Sequence, residues 1–413
     1  MRLRRENIRS AFSFLPDKFR KPFMSSSSAP FELVATTSFG LEAVVGRELQ
    51  ALGYADQRVL DGRVFFNGDA EAICRANIWL RSAERVEVVF GKFPAWDFGE
   101  LFDRTINLPW EQWLPVDAIF PVTGRSVKSQ LHSVPDCQRI VKKAIVERLK
   151  QVYKIDWLPE TGTTYAVEVS LLRDDVTLTI DTSGAGLHKR GYRKLTAKAP
   201  LKETLAAALV QLSVWKPERP FADPFCGSGT IPIEAAMIAR NIAPGLKRDF
   251  ASSTWPQIGP ELWRRVRDEA QALIKPAPDE VLVGTDIDNE VLDLARHHAR
   301  QAGVEGCVHF QQRSAEVFSS KKQYGCWISN PPYGERLGDE QEIERLYAKL
   351  GDVWAPLESW SFFVLTTHSN FERLVGGRAT RRRKLYNGKL ACTYYQFLGP
   401  RPPAAPVESE PVS

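Results

Sequence analysis

Three features of the chain predict an α/β protein built on a parallel, doubly wound sheet, with an α+β region ahead of it. Beyond Gly184, strand-like and helix-like segments alternate; a glycine-bearing strand-to-helix turn lies at residues 223–230; a short apolar strand ends in acid at Asp286. The 413 residues exceed the usual size of one hydrophobic core, so two or three domains are expected.

Residues 31–37 read as a strand, and the apolar spacing from Gly40 to Gly53 reads as a helix. Residues 59–66 alternate as a strand, followed by a helix over about 69–79 and a strand at 85–90. The pattern continues with a strand near 118–123, a helix across 136–153 and a strand pair at 165–171 and 176–181. The helix at 136–153 sets Lys142, Lys143 and Arg148 beside apolar Ile140, Ala144, Ile145 and Leu149. Such a basic face is either simply solvated or placed to neutralise RNA phosphates. A helix at about 201–212 opens the alternating half. Near the other end, two strand runs flank Asn387-Gly388, a hairpin signal that makes the last strand antiparallel. Arg378, Arg381, Arg382, Arg383 and Lys384 precede it as the densest basic cluster in the chain. That cluster suits phosphate, or the protection of a sheet edge from aggregation. The Pro-rich residues 400–413 are expected to form a disordered tail.

Charge and cysteine usage narrow the class. Lys+Arg number 55 against 50 Asp+Glu, a net charge of +5 that is compatible with a polyanionic partner. No run approaches the roughly 20 apolar residues of a membrane span. Cys74, Cys137, Cys226, Cys307, Cys326 and Cys392 are scattered without zinc-ligand spacing, so reduced thiols, no metal and a cytoplasmic location are expected. The first 23 residues carry Arg and Ser but no apolar signal core. Residues 1–30 read as a disordered basic arm, or as a start assigned upstream of Met24.

The chemistry concentrates in three runs. In Asp223-Pro-Phe-Cys-Gly-Ser-Gly-Thr230, Gly227 and Gly229 let a strand-to-helix turn approach a nucleotide-like ligand closely. Pro232 stands where a dinucleotide fingerprint wants its third glycine, and no Gly-Lys-Ser/Thr follows, so a ligand without a pyrophosphate fits better. Asp223 would meet a cationic amino group, as on the aminoacyl end of S-adenosylmethionine; Phe225, Cys226 and Ser228 belong to the same turn. In Val281-Leu-Val-Gly-Thr-Asp286-Ile-Asp288, Asp286 stands where a ribose diol is bound, with Ile287 beside it and Asp288 as the N-cap of the next helix. Gly229 and Asp286 are much further apart than the usual roughly 20 residues, so residues 245–276 form an insert that either covers the site or decorates the fold. Ser314 and Ala315 occupy the place of an adenine contact. The third run is Trp327-Ile-Ser-Asn330-Pro-Pro-Tyr333. Pro331 and Pro332 fix the backbone and leave the Asn330 and Pro331 carbonyls as acceptors for a nucleobase amine, while Tyr333 offers a face for stacking the base. Methyl transfer from a sulfonium needs alignment more than a strong base.

In this order, the motifs resemble those of THUMP-containing class I methyltransferases, specifically the bacterial 23S rRNA guanine-N2 enzymes. The likeness extends to Gly186-Leu-His-Lys-Arg-Gly-Tyr-Arg193 and to Ala199-Pro-Leu-Lys-Glu203 with the residues after it, and covers about residues 31–399. It implies a ferredoxin-like region at 31–66, a THUMP RNA-binding domain at 67–182 and a Rossmann-like, seven-stranded, S-adenosylmethionine-dependent domain at 183–399. It also implies cofactor roles for Asp223, Phe225, Gly227, Gly229 and Asp286, roles toward the amine for Asn330, Pro331 and Tyr333, and Pro200, Lys202 and Glu203 along the methionine end of the pocket. Competing activities are a tRNA guanine-N2 or a nucleic-acid adenine-N6 methyltransferase. The non-enzymatic competitor is an RNA-binding ribosome assembly factor, against which Asp223, Asp286 and Asn330 together argue.

Overall fold

Alternating apolar residues in the first half of the chain and nearly continuous apolar strands in the second produce two seven-stranded sheets. The computed structural model describes residues 30–193, 201–332 and 340–403; the basic arm, most of the tail, Pro200 and Tyr333 lie outside them. The chain divides into two units, Met1–Gly191 with Asn241–Ile274, and Tyr192–Arg240 with Lys275–Ser413.

The first unit runs β1 (Phe31–Thr36), α1 (Glu42–Ala51), β2 (Gln57–Leu60), β3 (Arg63–Gly68), α2 (Ala70–Trp79), β4 (Arg85–Pro94), α3 (Phe98–Ile106), β5 (Val122–Val127), α4 (Val134–Tyr153), β6 (Val167–Leu172) and β7 (Asp175–Asp181). Its sheet has the order β2-β3-β1-β4-β7-β6-β5. All its pairings are antiparallel except that of β5 with β6. The single strand expected at 59–66 is two strands, because Asp61-Gly62, with Gly62 at φ +70, turns the chain between paired Leu60 and Arg63. Asp-Gly is itself a hairpin signal. The strand expected at 118–123 begins at Val122 instead; upstream, Ile119 makes only an isolated bridge to Thr164.

The second unit opens with α5 (Glu203–Leu212), β8 (Phe221–Asp223) and α6 (Thr230–Ala239). The chain then enters the first unit for residues 241–274, which include α7 (Pro260–Ala272). Lys275 N donates to the Arg240 carbonyl at 2.7 Å, so the points of exit and return are bonded to each other. The remainder is β9 (Leu282–Asp286), α8 (Asn289–Ala302), β10 (Val308–Gln312), β11 (Cys326–Ser329), α9 (Glu340–Trp354), β12 (Ser361–Thr366), α10 (Phe371–Leu374), β13 (Arg381–Asn387) and β14 (Leu390–Phe397). Sheet order is β10-β9-β8-β11-β12-β14-β13; the first five strands are parallel, and β14 is antiparallel to both its neighbours. This is the Rossmann-like, seven-stranded arrangement.

The insert is more than a decoration of the fold: it completes the first unit's core. Phe250, Trp255, Trp263, Val266 and Ala270 are buried there with the residues of α2 and the sheet. Trp255 stacks on Tyr165 at 4.5 Å, and Arg75 pairs with Glu269 at 2.8 Å. An amphipathic helix with this much aromatic surface is stable only where that surface is covered.

Candidate functional site

β8 is the strand at which the order of the second sheet reverses, with β9 on one side and β11 on the other. Ligands of doubly wound sheets bind outside the carboxyl ends of strands at such a reversal. Asp223 ends β8, Asp286 ends β9, and Asn330 follows the last residue of β11, so the three lie at one edge of one sheet.

Between β8 and α6 the chain turns through left-handed conformations at Gly227 (φ +51) and Gly229 (φ +81). A Cβ on Gly229 would lie 3.0 Å from Ala295 Cβ and from the Phe310 ring, so the turn sits hard against α8 and β10. A Cβ on Gly227 would meet nothing within 4 Å, and that face of the turn is open. Gly227 N donates to Asp286 Oδ2 at 2.9 Å, tying the turn to the acid. Asp286 Oδ1 accepts from Asp288 N at 3.1 Å, and Asp288 caps α8 through Glu290 N.

Asp223 is only 1% exposed. Its Oδ1 accepts from Phe225 N at 3.2 Å, and its buried Oδ2 has no partner among the described residues. Burial pushes this carboxyl well above the usual carboxylate range, and neighbouring Asp286 adds to the effect. Burial raises Asp286 as well. The Cys226 thiol is raised far up, by burial and then by Asp223 and Asp286, so it stays a neutral lining group. An unpaired carboxylate at such a position calls for a cation or for hydrogen-bond donors.

Ile287 is 71% exposed directly beyond Asp286. Ser314 accepts from Glu316 N at 3.2 Å as the cap of a short 3-10 turn, and Ala315 is buried. Ser228 is buried, and Nδ1 of buried His298 lies 3.1 Å from its carbonyl oxygen. Phe225 packs edge-on to Trp327, ring centroids 6.4 Å apart. At the start of α5, buried Glu203 pairs with Arg193 at 3.4 Å, and Arg193 also bonds Thr230 Oγ1 at 3.2 Å. Neither Arg193 nor His298 carries a role legible from the sequence, because both act through tertiary partners that spacing does not reveal. Past β11, Asn330 Oδ1 is buried without a partner among the described residues, and Pro331 is buried.

The basic candidates have different surroundings. Lys142 Nζ bonds both carboxylate oxygens of Glu160 at 2.9 Å and lies 3.6 Å from the centre of the Phe120 ring. Arg148 makes a two-point pair with Glu111, at 3.0 and 2.5 Å, and Arg382 pairs with Glu372 at 2.5 Å. Lys143 stands over Phe102, while Arg381 and Arg383 have no carboxylate partner among the described residues. No cluster among the described residues could hold a metal ion, and no described helix is long and apolar enough to cross a membrane.

Three family models match the chain: an RlmL ferredoxin-like domain over residues 32–87, a THUMP domain over 95–181 and an RMKL-like methyltransferase domain over 190–396. The chain is 50% identical to the putative RNA methyltransferase YpsC of Bacillus subtilis (strain 168), over 89% of this chain and 96% of that protein. Among solved structures, a predicted N6-adenine-specific DNA methylase from Listeria monocytogenes is 51% identical with a TM-score of 0.86, covering 90% of this chain and 97% of the other. SMU.472, a putative methyltransferase complexed with SAH, is 46% identical with a TM-score of 0.86, covering 91% and 100%.

Proposed function

The chain belongs to the RMKL-like RNA methyltransferases that carry an RlmL ferredoxin-like domain and a THUMP domain, with S-adenosylmethionine as methyl donor, and we propose that it methylates the exocyclic N2 amine of a guanine in 23S rRNA. The observation that carries the site assignment is the pair of orphaned buried oxygens, Asp223 Oδ2 and Asn330 Oδ1, at one edge of the parallel sheet.

The residues present fit the cofactor. Asp223 would hold the ammonium of its aminoacyl end, and the open face of Gly227 leaves room for the chain that follows. Each Asp286 oxygen already accepts one backbone N–H and keeps a lone pair for a ribose hydroxyl. Ile287 would cover the adenine face, with Ser314 and Ala315 at its edge. Glu203, held by Arg193, lines the methionine end, and Cys226, Ser228 and Phe225 shape the turn. The bound cofactor supplies an electrophilic methyl group and leaves as S-adenosylhomocysteine. Asn330 Oδ1 and the Pro331 carbonyl accept the two N–H hydrogens of the target amine and direct its lone pair at that methyl; Pro331 and Pro332 hold the turn rigid. Tyr333, outside the described residues, is assigned the stacking face.

RNA phosphates are assigned to Arg381 and Arg383, with Lys143 as a further contact. Lys142, Arg148 and Arg382 would have to exchange an internal carboxylate for a phosphate to join them. The preference for N2 of guanine over N6 of adenine rests on the sequence resemblance, since both amines are planar and equally served by two acceptors. A test is incubation of the enzyme and labelled S-adenosylmethionine with ribosomal RNA from a strain lacking the gene, followed by digestion to nucleosides. Label in N2-methylguanosine from 23S rRNA is expected. Label in N6-methyladenosine, in tRNA or in DNA would replace the base or the substrate.

A further inference from the structure

The turn after Asn330 is held by a helix that lies outside its motif. Tyr347 in α9 is fully buried, and its hydroxyl donates to the Pro332 carbonyl at 2.9 Å. The same oxygen lies 3.0 Å from Thr366 Oγ1. A phenol has one proton, so with that proton given to Pro332 the second contact is Thr366 donating to Tyr347. Thr366, the last residue of β12 and fully buried, accepts in turn from His368 N at 3.1 Å. The Tyr347 ring stands edge-on to Phe371 at 4.9 Å and to His368 at 5.7 Å, so it cannot swing away without opening the aromatic cluster.

Proline rings fix φ at 331 and 332, and the second ring restricts ψ at 331, but ψ of Pro332 is left free. Pinning the Pro332 carbonyl removes that remaining freedom at the downstream end of the turn. A phenylalanine at position 347 would fill the same space, and a hydroxyl sunk in an apolar cluster is costly unless bonded. Here its proton goes to the turn, with Thr366 as its second neighbour.

We propose that Tyr347 is a positioning residue for methyl transfer, its hydroxyl holding the Pro332 carbonyl so that Asn330 Oδ1 stays aimed at the target amine. The inference rests on the reading of Asn330 as the acceptor for that amine. It is tested by comparing Tyr347→Phe, Thr366→Val and Asn330→Ala in the full chain, with ribosomal RNA as substrate and S-adenosylhomocysteine as the calorimetric probe. Tyr347→Phe is expected to lower kcat about tenfold, and Thr366→Val about threefold. KM for RNA, affinity for S-adenosylhomocysteine and the thermal midpoint should stay near wild type in both. Wild-type kcat in both variants, with Asn330→Ala inactive, overturns the positioning role alone. Substantial turnover by Asn330→Ala overturns the reading of the turn and this inference with it. Loss of S-adenosylhomocysteine affinity in parallel with kcat shows a general structural role and overturns the inference too.

Discussion

Two buried titratable groups of the first unit and two buried oxygens of the second differ in their surroundings. In the first unit Glu87 and Arg248 have partners inside the fold. Glu87, 2% exposed on β4, accepts from Thr179 on β7 at 2.8 Å. Arg248 donates to the carbonyls of Gly186 and Ala185, and burial, with Arg190 next in effect, brings its pKa down to about 10. In the second unit Asp223 and Asn330 each keep a buried oxygen with no partner among the described residues, at the ends of parallel strands. Buried polar atoms are nearly always satisfied, so a satisfied network marks architecture and an orphan at a strand end marks a place for a ligand.

Changing the groups at the strand ends should strike function, whereas changing Glu87 should alter stability. The largest effect is expected from Asn330→Ala, about a thousandfold in single-turnover rate, since its carboxamide serves the transferring amine. Cofactor affinity measured by calorimetry should stay near wild type. A fall in affinity equal to the fall in rate would place Asn330 in the cofactor pocket instead. Next comes Asp286→Ala, which should weaken S-adenosylhomocysteine binding by about 2–3 kcal/mol through loss of charge-assisted hydrogen bonds. Unchanged calorimetric affinity would remove Asp286 from the ribose.

Glu87 sharpens the contrast from the other side. Burial, with Glu168 adding to it, raises its pKa from the ordinary 4.5 to about 8. Between those values the folded state keeps a proton that the unfolded chain has released, so stability falls as pH rises through that window. The slope from this group is at most about 1.4 kcal/mol per pH unit. Urea unfolding from pH 5 to 8 should show Glu87→Gln with a flatter profile than wild type, and methyl transfer little changed. Parallel profiles would mean that Glu87 is not the titrating group. The smallest effect concerns the surface: Arg381→Ala and Arg383→Ala should each reduce the slope of log RNA affinity against log salt by about one, and Lys142→Ala by less. Equal changes would show that Lys142 leaves Glu160 when RNA binds.

The sequence by itself determined the features that a few adjacent residues encode. The glycine turn, the acid-ended strand, the proline-locked turn after Asn330 and the Asn387-Gly388 hairpin all depend on local backbone preferences and short apolar runs, and the second sheet's parallel order followed from alternating strands and helices. Tertiary structure alone decided which distant groups meet. Residues 245–276 read as an insert within the second half because chain order suggested it, yet the aromatic face of α7 and the turn before it is covered only in the first unit's core. Lys142 and Arg148 read as a basic helix face, but Glu160 from a loop and Glu111 from a short 3-10 turn reach them along paths that no periodicity describes. Tyr347 stood out in no motif, since its role depends on one carbonyl fifteen positions upstream. Local propensity is written in neighbouring side chains, whereas the pairing of buried donors with acceptors is settled by packing, where an unmatched polar atom costs more than any local preference supplies.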